Sequence, residues 1–167
     1  MKKKVIFFCP SIEDGGVEKN LYLVVNKLSE EFEVSLITAN KDKKNRFNKK
    51  INFIAPKNFN ITNVARLIKT FYCVYLTIKK FYFKNKEIII ISYESNIFAI
   101  IVAKLLRVPV MIRSNASPTG YLENFLKIYI FKFFFKMADI ILVNSSEFKT
   151  QIEKTLNIKS KIIYNSI

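Results

Sequence analysis

An α/β protein with a doubly wound, mainly parallel sheet and helices on both faces is predicted by three observations. Short apolar runs rich in β-branched residues alternate with longer amphipathic stretches. Most of the runs lack polar alternation, so they read as strands buried on both faces. The segments between them are long enough for crossover helices, which antiparallel hairpins would not need.

Strands are expected at residues 4–9, 33–38, 51–54, 87–92, 109–113, 140–143 and 161–164, and helices at 17–30, 61–84, 95–106, 120–137 and 146–156. The opening MKKKVIFFC mimics a signal peptide, but its apolar core is too short and is followed by Pro10, Glu13 and Asp14; it reads as the first strand. Gly15 and Gly16, two of the three glycines in the chain, separate that strand from the first helix. A strand that ends in a glycine turn and opens into a helix presents unpaired backbone N–H groups at the positive end of the helix dipole, an anion site. Glycine also serves simply to permit a tight turn, and the pair alone leaves both readings open. Asn60 stands where it can cap the helix at 61–84. Pro109 suits the start of a strand, where its missing N–H costs nothing. Ser145, Ser146 and Glu147 offer oxygens and an anion to the start of the last helix. The run 40–50 is polar, lysine-rich and aperiodic, which predicts a solvated loop. Without an internal repeat or an interdomain linker, residues 1–167 are expected to form one domain.

The chain carries 28 basic and 13 acidic residues, a formal charge of +15. A nucleic-acid binder would concentrate that charge in a stripe; here the lysines are dispersed and accompany Ile, Asn, Phe and Tyr, residues of A/T-rich codons. No nucleic-acid partner is expected, although a basic, aromatic surface favours anionic partners such as phosphates and acidic membranes. The absence of histidine removes Ser-His-Asp triads and His-bearing zinc sites. Cys9 and Cys73 lie far apart in apolar runs, as buried free thiols of a reducing compartment would. Neither a dinucleotide fingerprint nor a P-loop is present, so dehydrogenase and ATPase readings lose their support. Metal-ligand clusters are lacking too, and no cofactor is expected. No window reaches the ~18 uncharged apolar residues of a membrane-spanning helix, which predicts a cytoplasmic protein.

Five segments in order carry a family resemblance: the opening strand with "GGVEKNLYLVVNKLSEEFEVSLIT", then "IISYESNIFAIIVAKLLRVPVMIRSNASP", "ADIILVNSSEFKTQI" and "KIIYNSI". Together they resemble the N-terminal half of a family 4 glycosyltransferase of the GT-B architecture, and the resemblance covers nearly the whole chain. It implies a Rossmann-like, acceptor-side domain. The C-terminal domain that binds the nucleotide sugar through a loop with two glutamates is expected to lie outside this chain, in a separately encoded half or in a longer protein. The implied reaction moves a hexosyl unit from a nucleotide sugar, with retention, to a lipid-linked or polysaccharide acceptor in cell-envelope synthesis. The donor enters as substrate rather than cofactor.

Carried onto this sequence, the resemblance places Gly15 and Gly16 where the backbone approaches the donor diphosphate, with Glu18 and Lys19 opening the next helix. Glu18 and Lys19 read equally as a helix-start acid and a solvated lysine. Arg113, Ser114 and Asn115 follow a buried strand at its carboxyl end, where open α/β sheets place ligands, and read either as cleft contacts or as a mere loop. Tyr93, Glu94 and Asn96 end the preceding strand and could hold acceptor hydroxyls, while Asn96 could also merely support a helix start. No catalytic residue is assigned.

Two stretches interleave aromatics with lysines: 60–86, with Arg66, Lys69, Lys79, Lys80, Lys84 and Lys86, and 121–139, with Lys127, Lys132 and Lys136. Core aromatics and solvated lysines explain most of this pattern. Yet Phe131, Phe133, Phe134 and Phe135 cannot share one helix face at ~3.6 residues per turn, so some must meet a second domain, a partner or lipid. An anionic membrane surface, the inner face of the cell membrane, is the expected contact. The rival to an enzyme half is a non-catalytic Rossmann-like module that binds a phosphorylated or lipid ligand.

Overall fold

The structure, a computed structural model, describes residues 3–13, 15–56, 64–83, 87–115 and 124–165. Seven strands form one parallel sheet: β1 (Lys4–Phe8), β2 (Glu33–Ile37), β3 (Asn52–Ile54), β4 (Ile88–Ser92), β5 (Val110–Ser114), β6 (Ile140–Val143) and β7 (Lys161–Ile162). Their order is β3-β2-β1-β4-β5-β6-β7. The chain winds outward from β1 to β3, crosses back, and winds outward again from β4. The two directions meet where β1 pairs with β4, Phe8 opposite Ser92. That reversal opens a crevice at the carboxyl ends of the central strands.

Among the described residues five α-helices cover the sheet: α1 (Gly16–Glu31), α2 (Arg66–Phe81), α3 (Asn96–Leu106), α4 (Phe125–Phe135) and α5 (Ser146–Leu156). Alternation along the strands sends side chains to two cores. On one face Ile6, Phe8, Ile90 and Ile112 pack with Cys73 and Phe81 of α2, Ala99 and Val102 of α3, Phe135 of α4, and Ile152 of α5. On the other Val5, Phe7 and Leu36 pack with Leu21 and Val25 of α1. Full burial of Ile6, Phe7 and Phe8 stabilises the fold by about 1.5–3 kcal/mol each. The second face is covered unevenly. Beyond β1, Ile89 remains 36% exposed and Ile163 48%, and among the described residues no helix lies over this half of the sheet. The expectation of strands buried on both faces therefore fails at β4 and after β7.

Other expectations shift locally. The segment read as a loop at 40–50 contains a 3-10 helix, Lys41–Arg46, and buries Phe47 against Tyr22 and Phe53. The helix expected from residue 61 begins at Arg66, with Ala65 at the cap and no side-chain capping bond; Asn60 lies outside the described residues. The helix expected from Gly120 begins at Phe125, capped by the Asn124 side chain, which accepts from the Lys127 N–H; Gly120 lies outside the described residues. The last helix starts with the Ser145 hydroxyl accepting from the Phe148 N–H, as its serines foretold. Pro109 sits one residue before β5, and its carbonyl accepts from the Ile90 N–H. Both cysteines are free and buried, and burial pushes the Cys73 thiol up to about 12.

Candidate functional site

Parallel strands deliver their carboxyl ends to one rim of the sheet, and the ends of β4 and β5, with the first turns of α1 and α2, supply the polar groups of the site. A cavity of about 560 Å³ opens there, between α1, α2, α3 and α4. Its polar wall holds Glu18, Arg66, Tyr93, Glu94, Asn96, Arg113, Ser114 and Asn115; its apolar wall is Val17, Ile97, Phe98, Phe131 and Phe135.

Glu94 is the hub. Its side chain is 11% exposed. One carboxylate oxygen accepts from the Ser11 N–H at 3.1 Å and the other from Arg66 Nη2 at 2.7 Å. It thus joins β4 to the loop after β1 and to α2. Burial pushes its acid up to about 7, with Glu13 and Glu18 raising it further against the lowering pull of Arg66 and the Ser11 N–H. The next residue, Ser95, adopts the left-handed conformation with φ 54°. Its hydroxyl lies 3.0 Å from that of Thr70. Because the Thr70 proton goes to the Arg66 carbonyl at 2.9 Å, Ser95 donates in that contact. A non-glycine residue held in this region costs about 1–2 kcal/mol, and the hydroxyl bond to α2 helps to hold it there.

The two asparagines are engaged in holding the rim. Asn96 accepts from the Ser92 hydroxyl and donates to the Arg113 carbonyl at 3.0 Å. Asn115 donates to the Tyr93 carbonyl at 3.0 Å and accepts from Arg113 Nε at 3.0 Å. The end of β4 is thereby stitched to the end of β5. Tyr93 is buried, its hydroxyl donating to Asn20 of α1 at 3.1 Å; burial raises its phenol above the ordinary value against the lowering effect of Arg113. The Arg113 guanidinium sits 5.4 Å above the Tyr93 ring. Ser114, expected just past the strand, is its last residue and is buried.

The glycine pair does not use glycine's left-handed freedom: no described glycine has positive φ, and Gly15 is extended at φ −139°. Space is what matters at Gly15, where a Cβ would lie 2.8 Å from a carboxylate oxygen of Glu18. At Gly16 it would meet nothing within 4 Å. Glu18 is buried, at the third position of α1, with its carboxylate folded back towards the helix start. Gly15, Gly16 and Lys19 are exposed and stand beside the cavity rather than in its wall. The structure therefore brings together Glu18, Tyr93, Glu94, Asn96, Arg113, Ser114 and Asn115. Sequence reading took Arg66 only as part of a basic stretch and did not foresee Ser11. Both are called in by Glu94, and no local pattern announces a pair separated by 28 residues.

The sequence model of Glycosyltransferase Family 4 matches residues 14–167. The chain therefore belongs to that family. Among solved structures it is similar to Anabaena HepE in complex with UDP and glucose, at 16% identity and a TM-score of 0.68, covering 99% of this chain and 45% of that one. It is also similar to a ugt transferase from Siraitia grosvenorii in complex with UDP, at 10% identity and a TM-score of 0.55, covering 97% of this chain and 50% of that one. A third likeness is to apo UGT2 of Phytolacca americana, at 9% identity and a TM-score of 0.60, covering 98% of this chain and 51% of that one. At these identities the likeness is one of fold, the Rossmann-like half of a GT-B glycosyltransferase. The chain spans about half the length of these structures. No curated protein matches the sequence significantly.

Proposed function

We propose that this chain is the acceptor-side half of a retaining, nucleotide-sugar-dependent transferase that moves a hexosyl unit to a lipid-linked or polysaccharide acceptor in cell-envelope synthesis. The observation that carries the reading is the cavity at the carboxyl ends of β4 and β5, polar on one wall and aromatic on the other, in a chain of this family. The acceptor sugar lies against Glu94 and its neighbours, with the aromatic wall of α3 and α4 beneath its apolar part. The donor diphosphate approaches past Gly16, where no side chain intervenes, and the first N–H groups of α1 face it. HepE's complexes with UDP and glucose support a nucleotide-sugar donor. The donor's other wall comes from a C-terminal half, in a separate polypeptide or a longer one.

The same reading sets the protein at the cytoplasmic face of the membrane. Leu67, Ile68, Phe71 and Tyr75 of α2 and Phe125, Leu126, Tyr129 and Phe133 of α4 are more than half exposed. Lysines flank them, and Lys41, Lys44, Lys79 and Lys80 line a groove between the 3-10 helix and α2. Apolar exposure among cations suits an anionic bilayer.

The test is transfer to a lipid-extract acceptor from a panel of nucleotide sugars, with and without the C-terminal domain of a related enzyme. Turnover is expected only with both halves, since contacts to the transition state need both walls of the cleft. Ligand binding without any turnover in the reconstituted pair would leave a non-catalytic module. Robust turnover by the chain alone would overturn the half-enzyme reading.

A further inference from the structure

Arg113 is 3% exposed, yet among the described residues its guanidinium has no anionic partner. Nε donates to Asn115 Oδ1, and Nη2 donates to the Ile163 carbonyl at 3.3 Å and to Asn165 Oδ1. Each of these acceptors is neutral, and the remaining contact is the face of Tyr93. Among the described residues no carboxylate lies within ion-pair distance of it. Two acids do line the same cavity. Glu94 is already matched by Arg66 and the Ser11 N–H, and Glu18 is folded back to the start of α1. A buried cation normally sits beside a counter-charge, because taking it out of water is otherwise costly. Arg113 also lines an open cavity rather than lying wholly within a packed core.

We propose that Arg113 is the anion anchor of this cavity and that its missing counter-charge is a phosphate group of the bound ligand. The proposal rests on the glycosyltransferase reading and adds to it a ligand chemistry: the occupant carries phosphate at the floor of the cavity, beside Tyr93. Nη2 is fixed by the segment that follows β7 and Nε by Asn115, so the guanidinium plane is held in one orientation before the ligand arrives. Nη1 meets no carboxylate of a described residue and is the group that donates to the ligand. Two sources share this chemistry, the diphosphate of a nucleotide donor and the phosphate linker of a lipid-borne acceptor.

The experiment reads the Arg113 Nε–Hε signal by NMR, easily assigned among four arginines, during titration of the chain with inorganic pyrophosphate, UDP or a short-chain isoprenyl phosphate. All three should shift it, in a salt-sensitive way, and R113Q, which keeps a hydrogen-bonding side chain but not the charge, should weaken binding roughly tenfold or more. Tighter binding of UDP than of isoprenyl phosphate assigns the anchor to the donor; the reverse order assigns it to the acceptor. An unmoved Arg113 signal with all three probes, or undiminished binding by folded R113Q, overturns the proposal. If R113Q does not fold, the wild-type signal alone decides. Should UDP move the Gly15 and Gly16 amides while Arg113 stays silent, the transferase reading stands and the anchor falls.

Discussion

Glu94 shows what a single side chain does when buried at a crossroads. With its acid at about 7 against the ordinary 4.5, the folded protein holds a proton that the unfolded chain has released between those values. Its contribution to stability is then fully present below about pH 4.5 and is lost as pH rises through about 7. Thermal midpoints should fall across that interval more steeply in the wild type than in E94Q, and a carboxyl signal titrating near 7 in NMR would check the cause; identical pH profiles for the two proteins would refute it. Gly16 makes the opposite case, because its open surroundings let a side chain in without collision. In the reconstituted enzyme Gly16→Val should leave the thermal midpoint nearly unchanged and reduce transfer at least tenfold, the separation expected if the space serves a ligand. Equal loss of both would give the glycine a purely structural role. Both sites were partly legible in sequence. The glycine pair and the acid at the end of the IIIIS run mark strand ends, but Glu94's partners depend on how distant segments meet.

Helix ends differ in how far neighbouring residues announce them. Ser145 announced the start of α5 because a serine before an acid is a local signal. Asn124 was overlooked because the aromatic run after it lacks clear periodicity: Phe135 is buried while Phe125 is 83% exposed. At the other end of α3, Arg107 closes the helix at φ 55°, donating its N–H to the Ala103 and Lys104 carbonyls. Glycine is the residue suited to that conformation. Arg107→Gly should therefore raise stability, by up to about 1 kcal/mol, as read from denaturant midpoints; a lower midpoint would mean the arginine side chain matters more than its backbone. On α2, Lys79 lies 5.4 Å over the Tyr75 ring and Lys80 donates to Asn52. Replacing both by Ser should cut sedimentation with phosphatidylglycerol vesicles at low salt, since each lysine near such a surface contributes about 1 kcal/mol. Wild-type protein that stays in the supernatant would assign the exposed aromatics elsewhere.

The whole molecule was the most readable level, because burial of parallel strands leaves a pattern that survives even where element boundaries shift. Seven apolar runs became seven strands, and the crossover spacing became parallel pairing. Coverage of the sheet could not be read, since a run such as IIIIS looks the same whether both faces are packed or one is half bare. Ile90, fully buried in β4 between α3 and the sheet, tests the shared core: Ile90→Ala should lower stability by about 2–5 kcal/mol in chemical denaturation. A loss below about 1 kcal/mol would indicate a core that closes over the gap. The strand order also imposes a timetable on synthesis. β1 is made first but sits in the middle of the sheet, paired on one side with β2 and on the other with β4. Roughly fifty residues separate those two partners, several seconds of elongation at ordinary ribosomal rates. Throughout that interval the nascent chain carries an apolar strand with one open edge, the state most prone to pairing with a neighbouring chain, so its yield in the cell depends on how quickly the ribosome delivers β4.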